Sequence, residues 1–149
     1  MKPVLQALVL AERVYQDVSG KKIIAGTFTG VTIVPQKIVD GQEVEAPDGT
    51  KARIIPGGTH GGSPFAYLSL TDVCEGTKLV LQFVQLAHNR VLLGSEVSID
   101  CHDRLATVEL VIPLPMLPFQ GAGDYAFEVV CEGDILGSWR IKVNELKVE

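Results

Sequence analysis

The chain has 149 residues, 46% of them hydrophobic and 21% charged. That is the size and composition of one globular domain able to bury a core without disulfides or a structural metal, and it leaves no room for a long disordered tail. Thirteen Lys and Arg against 18 Asp and Glu give a formal charge of -5, which opposes unspecific attraction to nucleic-acid phosphates. The nearest basic cluster, Lys21 with Lys22, is far short of a nucleic-acid footprint.

The N-terminal MKPVLQALVLAERVYQD has an apolar run cut off by Glu12 and Arg13. It is too short for a signal sequence, and a membrane span needs about 20 apolar residues, so a cytoplasmic protein with no membrane contact is expected. Cys74, Cys101 and Cys131 are too few, and odd in number, for a disulfide scaffold, which fits reduced thiols in that compartment.

The first segment, VLQALVLAERVYQD, suits a helix by its Leu and Ala content. Its β reading rests on the next residues of the chain, since DVSGKK is a turn and IIAGTFTGVTIV is a β-branched run with Gly26 and Gly30. Together they predict a long hairpin. Residues 35–63 then break the pattern with Pro35, Pro47, Pro56 and several glycines. A structureless loop of that length is unusual, so QKIV and KARII are candidate edge strands within a Gly/Pro-rich insertion.

PFAYLSL and KLVLQFVQLA are strand candidates separated by TDVCEGT, and HNRVLLGSEVSI continues the pattern. Period-2 alternation is cleanest in the last third. LATVELVI puts Ala106, Val108, Leu110 and Ile112 on one face, with Thr107 and Glu109 on the other. DYAFEVVC turns Tyr125, Phe127, Val129 and Cys131 inward, with Ala126 and Glu128 outward. ILGSWRIKV turns Ile135, Gly137, Trp139, Ile141 and Val143 inward, and CEGD joins these two as a tight hairpin. Between them and the preceding strand, PLPMLPFQGAG carries Pro113, Pro115 and Pro118, which resist helix and central strand, so it reads as an extended crossover.

The whole predicts a single all-β domain over 1–149: an antiparallel β-sandwich of about seven to nine strands, immunoglobulin-like or C2-like, with a closed barrel as competitor.

The most reactive-looking stretch is VSIDCHDRL, residues 97–105. Extended backbone sends Val97, Ile99 and Cys101 inward and Ser98, Asp100 and His102 to water, so adjacent Cys101 and His102 cannot share one ion unless a bulge or turn intervenes. Cys74, His88, Cys101 and His102, with His60, are zinc-ligand types, but no CxxC or HxxxH spacing joins them. Cys74, before Glu75 and Gly76 in a turn, is expected to be the most exposed thiol; a nucleophile also needs a group that lowers its pKa.

PGGTHGGSP, residues 56–64, sets His60 among glycines that allow close backbone approach to a ligand. It lacks the spacing of a phosphate loop or a dinucleotide fingerprint. Glu43, Glu45 and Asp48 lack calcium-loop spacing, and no serine stands in a nucleophile elbow. Met116, Leu117 and Phe119 on the crossover either anchor the core or present an apolar surface to a partner.

Two stretches resemble a known family. LVLAERVYQDVSGKKIIAGTFTGVTIVP places Asp17, Gly20, Lys21, Ile24, Gly26 and Phe28, and GAGDYAFEVVCEGDILGSWRIKV places Gly123, Tyr125 and Phe127 before the turn EGDILG. Both are similar to the two ends of a family of small prokaryotic β-sandwich proteins that carries a domain-of-unknown-function label. The resemblance implies a compact sandwich and lends no catalytic residue.

These readings lead to a non-enzymatic protein-binding or structural module, with a protein partner or a second copy as its target and no cofactor or metal. Its candidate contact residues are His60, Met116 and Phe119. The alternatives are a metal-dependent or thiol-based enzyme using His60, Cys74, His88 or His102, and a phage-associated structural or host-interference protein.

Overall fold

The computed structural model describes residues 2–33, 43–45, 51–53 and 62–146. Among the described residues eleven strands succeed one another: β1 (Val4–Gln16), β2 (Lys22–Thr27), β3 (Gly30–Ile33), β4 (Glu43–Glu45), β5 (Lys51–Arg53), β6 (Phe65–Thr71), β7 (Thr77–Gln85), β8 (Arg90–Ile99), β9 (Val108–Pro113), β10 (Gly123–Cys131) and β11 (Asp134–Glu145). Nine of them build two sheets, ordered β2-β1-β6-β9 and β3-β11-β10-β7-β8, while β4 and β5 pair with each other. The expected all-β sandwich is what the chain forms.

Alternation explains the core. In the four-stranded sheet Leu8, Leu68 and Leu110 lie in one cross-strand row, and Leu10, Ala66 and Ile112 in the next, all turned toward the other sheet. From the five-stranded sheet Leu79, Phe83, Tyr125, Phe127, Val129, Ile141 and Val143 meet them. Burying such side chains contributes roughly 1.5–3 kcal/mol each, which is the main force holding the layers together.

One inward assignment needs correction. Val129 pairs with Gly137 but Val130 pairs with Ile135, so Leu136 is an extra residue and β11 is bulged. The extra residue reverses the alternation before it: Leu136 packs against the core, and Ile135, expected inside, is 57% exposed. Gly137 faces inward under the side chain of Leu5; a Cβ there would lie 2.4 Å from Leu5 Cδ2.

The connections show more than the sequence predicts. DVSGKK closes the first hairpin as expected: the Asp17 carboxylate accepts the Ser19 and Lys21 N–H groups (2.9 and 2.8 Å) and the Ser19 hydroxyl (2.7 Å). IIAGTFTGVTIV, however, is not one strand. It breaks at Phe28 and Thr29, and β3 crosses to the other sheet to run parallel to β11, the one parallel pairing among the described residues. Trp139 Nε1 donates to the Phe28 carbonyl (2.9 Å) and Lys142 N–H to that of Thr29 (2.9 Å), which pins the crossing.

TDVCEGT also carries the chain from one sheet to the other; Thr77 Oγ1 accepts from Cys74 N–H (3.2 Å) and donates to Cys74 O (2.7 Å). CEGD is the expected two-residue hairpin, with Glu132 and Gly133 at φ 49° and 82°. KARII contributes β5, whereas QKIV lies outside the described residues.

Candidate functional site

The stretch with the most reactive residue types is an architectural latch. β8 ends at Ile99, and the turn after it folds onto the β6–β7 connection. Asp100 Oδ1 accepts Gly76 N–H (2.9 Å), Asp72 N–H donates to Arg104 O (3.1 Å), and Arg104 reaches Asp72 Oδ1 (3.4 Å). Cys101 packs against the core and its thiol points at Asp103 O (3.2 Å). His102 is exposed, 4.0 Å from the equally exposed Glu75 carboxylate. The alternation expected of 97–102 therefore holds, and Cys101 and His102 diverge.

His88 stands apart from this cluster. His88 sits in a single 3-10 turn, Leu86–His88, at the opposite end of β7 from Cys74. Nine strand residues at about 3.3 Å each separate them by more than 25 Å. Among the described residues no group of three or more His, Cys, Asp or Glu is set to hold a metal ion. His60 lies outside the described residues. Cys74 and Cys101 are both half-buried, and Cys131 is buried. Burial, helped by the Glu132 charge and opposed by Lys2, pushes the Cys131 thiol up, so it stays protonated at neutral pH and is a poor nucleophile.

Two shallow grooves among the described residues bear on the question. One, of about 540 Å³, lies at this end of the sandwich between the Cys74–Lys78 stretch and the β10–β11 turn. Its chemistry is mixed: Cys74 and Cys131, Glu75 and Glu132, and Lys78, whose ammonium is 3.7 Å from Glu96. The other, of about 260 Å³, lies between Val14, Tyr15, Gln16 and Lys22 at the far end of the first hairpin and Glu109 and Val111 of β9. Lys22 Nζ donates to Gln16 Oε1 (2.6 Å), and the Tyr67 hydroxyl donates to the Glu109 carboxylate. That hydrogen bond, with burial and the Glu109 charge behind it, raises the Tyr67 pKa and keeps the phenol protonated. It serves as a fixed donor rather than a base.

The feature that distinguishes one side of the molecule is the outward face of the four-stranded sheet. Register places Val9, Tyr67 and Val111 in one outward row and Thr27, Ala11, Phe65 and Pro113 in the next. Beyond Arg13 and Ala25 the hairpin adds the cross-strand pair Tyr15 and Ile23, 54% and 49% exposed. The outward face of the five-stranded sheet mixes an apolar row, Ile135, Val130 and Val80, and the exposed Val91 with polar rows. Its polar rows hold Asp124 with Lys142 and Gln82 with Glu128 and Ser138, where Gln82 Nε2 donates to Glu128 Oε1 (2.9 Å), and Arg140 pairs with Ala126 beside Val84 and Val91.

The expected contact pair on the crossover separates. Met116 is 58% exposed, but Phe119 is 2% exposed, its ring edge-on to Phe83 and Tyr125 with centroids 5.7 and 5.1 Å away. Its place is in the core because Tyr125 Oη accepts Gln120 N–H and donates to Gly121 O, both at 2.8 Å, and so draws the crossover inward. Tyr15, Ile23 and Tyr67 escaped sequence reasoning, although both faces of β1 and β6 read apolar in the one-letter code. The chain matches no protein-family model and no curated protein.

Proposed function

We propose that the protein is a non-enzymatic protein-binding or structural module that works through the outward face of its four-stranded sheet, with self-association among its modes. The observation that supports this reading is the Tyr15–Ile23 pair, about half exposed and on the same face as Val9, Phe65, Tyr67 and Val111, beyond the Arg13–Ala25 pair. Apolar surface left in water costs about 25 cal/mol per Å², and a contiguous patch of it is characteristic of a contact surface. The aromatic residues among them suit the desolvated centre of an interface. Met116 gives a second exposed apolar point on the crossover. Three free thiols fit a reducing, cytoplasmic setting.

The test compares the full chain with the Tyr15→Ser/Ile23→Ser double variant by native mass spectrometry over a range of concentrations and by capture from cell extract, with near-UV circular dichroism as the control for folding. The wild type is expected to form a defined oligomer or retain a defined partner, and the folded variant to lose it. A wild type that stays monomeric and retains nothing, or a variant that behaves identically, removes this face from the function.

A further inference from the structure

We draw no further inference here: the strongest candidate, the apolar outward face of the four-stranded sheet around Tyr15, Ile23, Tyr67 and Val111, goes no further than the reading already proposed, because nothing in the structure shows what covers it.

Discussion

Asp17 and Phe119 show how single side chains set local structure. Asp17 gathers three hydrogen bonds at the tip of the first hairpin, and these, the Ser19 hydroxyl foremost, hold its carboxyl below the ordinary 3.8. A carboxylate favoured by the fold stabilises it above the unfolded value, and that contribution is lost as pH falls from there through the folded pKa. An NMR titration of the Asp17 carboxyl carbon should give a midpoint below 3.8, and Asp17→Ala should lower the melting temperature at pH 7 more than at pH 2. Equal losses at both pH values would show that the charge contributes nothing. Phe119 and Met116, three residues apart, should respond very differently to truncation. Phe119→Ala empties a core site packed against Phe83 and Tyr125 and should cost about 3–5 kcal/mol. Met116→Ala, at an exposed position, should stay within about 0.5 kcal/mol. Urea unfolding of both variants is the check, and similar losses would contradict the split.

Strands are where sequence and structure agree most and where the departures are most instructive. β9 and β10 were legible because each turns one apolar face toward the core, partly buried in β9 and buried in β10, so polar residues such as Glu109 and Glu128 fall out of step with it. β11 was legible only from Gly137 onward, since a bulge adds one residue without altering composition. The parallel pairing of β3 with β11 joins segments over 100 residues apart, and no local pattern encodes a partner so distant. Legibility of the site was poorer still. VSIDCHDRL drew notice for its residue types, yet those groups serve to join two turns. The apolar outward residues of β1 and β6 looked like ordinary core because a strand apolar on both faces gives no alternation to read. Gly20, Gly26 and Tyr125, which the sequence reading singled out, occupy a hairpin turn, a positive-φ strand position and a crossover anchor. Gly137 offers a test of how closely the sheets approach. Gly137→Ala drives a methyl into Leu5 and should cost about 1–3 kcal/mol. In a Leu5→Ala background the same substitution should be close to neutral, a coupling that urea melts of the four proteins would measure. Additive losses would mean the two side chains do not meet.

At the scale of the whole molecule, the two sheets are interlocked by chain order. The first strand, β1, lies between β2 and β6, while β3 leaves that sheet to flank β11, the last strand. The five-stranded sheet therefore cannot be completed until both ends of the chain are in place. Closing loops this long costs entropy before the contacts repay it, so folding belongs in the millisecond-to-second range of β-sandwiches rather than the microseconds of helical bundles. Trp139, the sole tryptophan, reports on that last closure, because its indole N–H bonds the Phe28 carbonyl where the chain crosses between sheets. In stopped-flow refolding, the change in Trp139 emission should track the slow step that restores far-UV circular dichroism. Trp139→Phe, lacking the indole donor, should unfold faster by a larger factor than it refolds more slowly, since a contact made last is absent from the transition state. A Trp139 signal that is complete within the dead time, or a variant slowed mainly in refolding, would place the β3–β11 contact early and overturn this order of assembly.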